Sequence, residues 1–262
     1  MFISVLICTR NRADSLRRTL ESLLCSGNLE SPNWEVLVVE SSTDHTGEVC
    51  QEFQQRFPQH LRVLTEKKLG KSNALNTAIA AAKGELLAFT DDDVLCAPDY
   101  IQGIRMVFTL YSADAAQGRV LLDCEGGWPE WLDRTYAQMA DFRDCGDKVI
   151  DLDGDLFGVN MVVRAGVFQK TGGFAPELGP GGIGVCEDSQ MSWRIRQAGC
   201  RLLYAPQILV RHQWPRDRLT KSFLRKRFFE YGRFLAYYDP LPVSIPRFGI
   251  YLVKESDRKS VV

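Results

Sequence analysis

Histidine is scarce in this chain, with three in 262 residues, and none of the eight cysteines forms a C-x-x-C pair. These shortages exclude the usual structural zinc sites and a disulfide scaffold, and they fit reduced thiols in a cytoplasmic compartment. The net charge of −1 lacks the basic excess that a nucleic-acid partner requires, so none is expected. No apolar run approaches the ~20 residues that span a bilayer. The start, Met1-Phe-Ile-Ser-Val, lacks the charged and long apolar regions of a signal peptide and reads as a strand. Two nucleotide-binding fingerprints are missing as well. Gly70-Lys71-Ser72 resembles the end of a P-loop, but Thr65 stands where its first glycine belongs. Thr9-Arg10-Asn11 follows the first apolar run in place of G-x-G-x-x-G.

What is present is an ordinary globular composition, 45% apolar and 25% charged, long enough for one large α/β domain with an appendage. Ile3 to Cys8, Glu35 to Glu40, Leu61 to Thr65 and Glu85 to Thr90 read as buried strands. Between them lie helical stretches: one with Leu16, Leu20, Leu23 and Leu24 on a face and Asp14 as its N-cap, one over 46–56, and one over 72–83 stopped by Gly84. Strand and helix in alternation predict a Rossmann-like, mostly parallel sheet with helices on both faces. That topology gathers Arg10, Glu40, the lysines of 67–71 and Asp91 at the carboxyl edge of the sheet, where such folds bind ligands. The expected occupant is a nucleotide.

Asp91-Asp92-Asp93 is the most telling cluster. Three carboxylates at a strand end suit Mg²⁺ or Mn²⁺, with ligand phosphates completing the shell, although a solvated acidic turn has the same sequence. Further on, 157–163 reads as a strand and the glycine-dense 179–184 as a loop near a ligand or a plain connector. Glu187-Asp188 opens a helix over 189–198. The pair is either dipole dressing worth up to ~1 kcal/mol or a general base at a cleft mouth. Strands at 201–204 and 208–210 are followed by His212.

In order and spacing these segments resemble the inverting family 2 glycosyltransferases of the GT-A fold, from about Ile3 to His212. The likeness rests on Ser4 to Asn11, Glu35 to Asp44, Gly70 to Asn76, Ala82 to Asp93, Gly172-Gly-Phe174, Glu187-Asp188 with Arg194 and Gly199, and His212. It implies a GT-A domain over 1–215, with a nucleotide-sugar half over 1–95 and an acceptor half over 96–215. By this resemblance Thr9, Arg10, Asn11, Glu40, Lys71, Asp91 and Asp92 line the nucleotide-sugar pocket. Asp91, Asp93 and His212 would hold Mn²⁺ or Mg²⁺, with the choice among the three aspartates open, and Asp188 would be the catalytic base. The donor it implies is a nucleoside-diphosphate sugar, with uridine favoured by the family's habits. The acceptor is a hydroxyl on a glycan, a lipid-linked molecule or a small molecule. Glu40 stands where many relatives carry Asp. The Q-x-x-R-W motif and membrane spans of processive synthases are missing, which favours transfer of one sugar per encounter.

Trp128, Trp131, Asn160, Gly182 and Glu187 are the candidates for the acceptor side, where packing is the competing role of the two tryptophans. Six aspartates over 141–155 read as a solvated loop that disfavours a polyanionic acceptor. Residues 216–262 form a basic amphipathic helix and a tail. Over 211–233 eight Lys or Arg face two acids, and Phe223, Leu224, Phe228, Tyr231, Leu235 and Tyr238 share one face. That helix either packs on the domain or makes a peripheral contact with anionic lipid at the inner face of a membrane. Pro240, Pro242 and Pro246 should break any helix beyond it. A non-catalytic module binding sugar nucleotide or glycan is the competing function. A nucleotidyltransferase would need a glycine-rich first loop, which Thr9 to Arg12 is not.

Overall fold

The computed structural model describes residues 1–238, so the proline-rich tail expected after Asp239 lies outside the described residues. The chain runs β1 (Ile3–Thr9), α1 (Ala13–Cys25), β2 (Trp34–Glu40), α2 (Thr46–Arg56), β3 (Leu61–Thr65), α3 (Lys71–Ala81), β4 (Leu86–Thr90), β5 (Val94–Cys96) and α4 (Tyr100–Leu110). It continues through β6 (Ala115–Cys124), a 3₁₀ turn (Arg134–Ala140), β7 (Ile150–Asp151), β8 (Asn160–Arg164), α5 (Val167–Thr171), α6 (Glu187–Gln197), β9 (Leu202–Trp214), a short 3₁₀ turn (Arg216–Arg218) and α7 (Lys221–Tyr238). One sheet of nine strands, in the order β3-β2-β1-β4-β8-β6-β9-β5 with β7 on the side of β9, crosses both halves of the chain. The expected boundary at residue 95 falls inside β5.

Strand periodicity explains the two-sided core. Successive side chains point to opposite faces, so Val5 and Ile7 meet Leu16 and Leu20 of α1 and Phe53 of α2. Leu6 and Leu37 point the other way, onto Leu75 of α3 and Met191 and Ile195 of α6. The parallel character holds for β3-β2-β1-β4 and for β6 with β9. Strand β8 is antiparallel to both β4 and β6, which makes the whole sheet mixed.

Several local expectations are corrected. Asp14 lies inside the first turn of α1, and Arg12 occupies the position before it with no side-chain cap. Helix α3 ends at Ala81, three residues before Gly84. Gly84 serves a close approach instead, since a Cβ there would stand 2.5 Å from the Ser4 nitrogen. The strand expected from Phe157 begins only at Asn160, because the Phe157 N–H donates sideways to Gln117 Oε1. The two expected strands at 201–204 and 208–210 are one, β9, whose register against β6 slips between Gly118 and Arg119. The slip accommodates Pro206, which has no N–H for a ladder. His212 therefore lies within β9, paired with Val94 and Leu122, rather than after a strand. Helix α6 starts at Glu187, so both carboxylates of 187–188 sit in its first turn.

Candidate active site

The three aspartates leave β4 in different directions and meet different partners. Asp91, half-buried, pairs with Lys71 Nζ at 2.8 Å. Asp92 is buried, accepts a hydrogen bond from Thr9 Oγ1 at 2.7 Å, and pairs with Arg12 at 2.8 Å. Burial, reinforced by Asp93, pushes its carboxyl up to about 6 against the pull of Arg12. Asp93 is also buried, and its Oδ2 accepts from Arg12 at 2.7 Å and Arg218 at 2.9 Å. Burial would raise Asp93 too, but His212, Arg12 and Arg218 outweigh it and hold the carboxyl well below the usual range.

The other oxygen of Asp93 has no hydrogen-bond donor, an orphan that natural proteins rarely leave. His212 Nε2 lies 3.3 Å from it, an electrostatic contact whose geometry is off the hydrogen-bond line. The far ring nitrogen, Nδ1, reaches the Ala140 carbonyl at 3.1 Å. One ligand atom each from Asp91, Asp93 and His212 gathers within 4.8 Å. Two carboxylates, an imidazole and a buried acceptor without a donor fit a divalent cation, and a carbonyl behind the histidine is the usual way to orient such a ligand. Asp92, spent on Thr9 and Arg12, is not part of that set.

The base side assembles around Lys71, which touches Asp91 and lies 3.5 Å from Glu187 Oε1. Asp188 accepts from the Gly158 N–H at 2.9 Å and from the Ser189 N–H at 2.8 Å. Burial, then Glu187 and Asp141, push its carboxyl up to about 7, while the Gly158 bond and Lys71 act the other way. A carboxylate so poised suits proton abstraction near neutral pH. Asp141 stands in left-handed backbone, φ 61°, and faces Arg227 of α7 at 3.9 Å. Desolvation raises its carboxyl as well.

On the nucleotide side, Arg10 and Asn11 are exposed at the end of β1. Asn11 has φ 55° and its side-chain Oδ1 accepts from the Thr43 N–H at 2.8 Å. Glu40 accepts from the Ser42 N–H and from Thr65 Oγ1, tying the ends of β2 and β3 together. Thr9, Arg10, Asn11, Glu40, Lys71 and Asp91 thus share one sheet edge.

The acceptor candidates divide. Asn160 is corrected: it is fully buried, its amide donates to the carbonyls of Arg119 and Ile208, and its oxygen accepts from Tyr100. No polar atom is left for a substrate. Trp128 is half-buried, packs on the Trp214 and Leu219 cluster, and donates to the Leu132 carbonyl at 2.6 Å. Trp131 is 47% exposed, with Lys221 Nζ 5.6 Å from its ring centre. It lines a groove of about 280 Å³ together with Glu125, Arg216 and Thr220. Gly182 is exposed in its loop, and Glu187 is buried beside Lys71. A cavity of about 430 Å³ between α1 and α2 contains none of these residues.

Arg12, Asp141, Arg218 and Arg227 escaped the sequence reading as site residues. Arg12 had a usable signal, its place just past β1. The other three had none, because their partners are distant along the chain.

Residues 4–172 match the sequence model described as Glycosyl transferase family 2. The chain belongs to that family. A pre-mycofactocin glycosyltransferase of Mycobacterium tuberculosis is 26% identical over 87% of this chain and 46% of its own length. Glycosyltransferase AglE of Haloferax volcanii is 27% identical over 87% of this chain and 71% of its own. A mannosyltransferase from Pyrobaculum calidifontis, solved with GDP-Man and Mn²⁺, superposes with a TM-score of 0.68 at 20% identity, covering 94% of this chain and 66% of that one. GalNAc-T7, solved with UDP, GalNAc and Mn²⁺, gives 0.65 at 17% identity, covering 88% and 48%. The chain spans 46% of the mycobacterial relative and 33% of a Nostoc glycosyltransferase that it matches over 109 residues. The fold is therefore GT-A, and the chain carries a family 2 glycosyltransferase domain. The family match ends at residue 172, so Asp188, His212, Arg218 and Arg227 lie beyond it.

Proposed function

We propose that the domain moves a single sugar from a nucleoside-diphosphate donor to an acceptor hydroxyl with inversion at the anomeric carbon. The observation that carries this reading is the pairing of an acidic cation cradle with a raised carboxylate, Asp188, across Lys71. Asp91, Asp93 and His212 would hold Mn²⁺ or Mg²⁺. When bound, that ion supplies charge neutralisation to the departing diphosphate. Thr9, Arg10, Asn11, Glu40 and Asp92 line or brace the nucleotide side, with uridine the favoured base. Lys71 offers a cation to the diphosphate and keeps Asp91 in place.

Asp188 takes the proton of the acceptor hydroxyl as its oxygen forms the new bond to the anomeric carbon. The bond from that carbon to the diphosphate oxygen breaks, its electron pair leaving with the nucleoside diphosphate. Trp131, Gly182 and Glu187 are the residues offered for the acceptor side. A purely binding module would need none of this proton chemistry, and a base held near neutral proton affinity favours the enzyme. The acceptor is a glycan, a lipid-linked molecule or a small hydroxyl compound. Peripheral contact of α7 with a cytoplasmic membrane face suits the lipid-linked case. No helix among the described residues is long and apolar enough to cross a membrane.

The test is a panel of UDP-, GDP-, dTDP- and CMP-sugars with and without Mn²⁺, read by thermal shift and by donor hydrolysis. Asp188→Asn should keep the donor-induced shift while turnover falls by ~10²-fold or more, the scale of a positioned base. Unchanged turnover removes Asp188 from the role, and binding without hydrolysis in the unaltered protein favours the binding module.

A further inference from the structure

Asp93 is held by two guanidinium groups from opposite ends of the chain, and only one belongs to the first half. Arg12 follows β1, whereas Arg218 ends the 3₁₀ turn just before α7, 125 residues from Asp93. Both donate to Oδ2, which fills that oxygen and leaves Oδ1 without a hydrogen-bond donor, 3.3 Å from His212 Nε2. A carboxylate with a single anchor can swing about its bond; with two on one oxygen, the free oxygen has a fixed aim.

Helix α7 in turn rests on the loop that precedes the base. The Glu230 carbonyl abuts Gly184, where φ is 72° and a Cβ would come within 2.5 Å of it. Phe223 packs edge-on against Trp214, and Arg227 faces Asp141. Arg218 is thus the covalent neighbour of a helix that touches the far side of the site.

We infer that Arg218 is a positioning residue of the cation site and that, through it, cation binding and docking of α7 are linked. The inference rests on the reading of Asp91, Asp93 and His212 as cation ligands. It adds that a residue outside the cradle, and outside the matched family segment, sets how well the cradle works. Linkage is reciprocal: if a docked Arg218 favours the cation, the cation favours docked α7 by the same factor.

The test uses Mn²⁺ alone, with no donor, on the full chain. Free Mn²⁺ is counted by electron paramagnetic resonance, and amide exchange is followed over 221–238. The unaltered protein should bind Mn²⁺ and gain protection in α7. Arg218→Ala should raise the Mn²⁺ Kd by ~10–100-fold, the usual effect of losing an outer partner of a ligand, and abolish the Mn²⁺-induced protection. Arg218→Lys keeps the charge without the fork, so it should move in the same direction by less, and it serves if the alanine variant fails to fold. Arg225→Ala, exposed on α7, should leave the Kd unchanged. An unaltered Kd in the Arg218 variants, or α7 protection that still responds to Mn²⁺ in Arg218→Ala, overturns the inference while leaving the cation reading intact. No Mn²⁺ binding by the unaltered protein overturns both.

Discussion

Burial, and after it the like charges of Glu187 and Asp141, make the Asp188 proton hard to lose. Only the ionised carboxylate accepts a proton, so kcat/KM should climb as pH rises through about 7 and fall away below it. Asp141→Asn removes one repelling charge, and the acid limb should then move to lower pH. A pH–rate profile decides this; a limb that stays in place would mean Asp141 does not act on the base. Asn160 makes a different claim, on stability alone. Asn160→Ala removes the donor to the part-buried Arg119 carbonyl and to the buried Ile208 carbonyl, the latter worth ~1–3 kcal/mol. A lower urea midpoint with unchanged donor binding is the expected result. Asp91 and Asp93 were candidates on sequence because they follow the apolar run that forms β4, whereas Asp188 as base and His212 as ligand came from the family resemblance. The guanidinium of Arg218 was not legible, since Arg218 stands 125 residues from Asp93 and no local pattern joins them. Asn160 misled for a related reason: a polar residue inside a strand signals a ligand or a buried brace equally well.

Among the elements, α1 was read well because one apolar stripe repeats at the helical period. Strand direction was harder. Alternation gives the faces of β8 but not its antiparallel course, which depends on the long path between β6 and β8. The continuity of β9 through Pro206 was hidden because the interruption lies in the register with β6, not in β9 itself. Helix α7 presses its Glu230 carbonyl on a left-handed glycine, Gly184. Gly184→Ala should therefore cost ~1–3 kcal/mol from the backbone alone, and it should loosen α7 from the loop before Asp188. Faster amide exchange over 221–238, with the sheet unaffected, would be its signature. Equal exchange in both places would assign the contact no special weight.

Taken whole, the molecule is nearly neutral yet unevenly charged, with its cations concentrated toward α7. Phe223 and Leu224 of the expected apolar face are turned into the domain, while Phe228, Tyr231 and Leu235 remain substantially exposed, as does Phe229 at 68%. Lys221, Arg225, Lys226 and Arg233 surround them. Vesicles rich in anionic lipid should carry the protein down at low ionic strength and release part of it near 1 M salt, where screening acts over ~3 Å. Absence of co-sedimentation at both would remove the membrane contact.

The packing of α7 also sets a length. Glu230 touches Gly184 on the inner side while its neighbour Phe229 looks outward, so the outer surface and the loop before Asp188 are separated by a single helix, about 10–12 Å across. An acceptor headgroup lying against that outer surface would need only to round one cylinder of side chains to meet the base. A tethered molecule could make that journey without leaving its anchor.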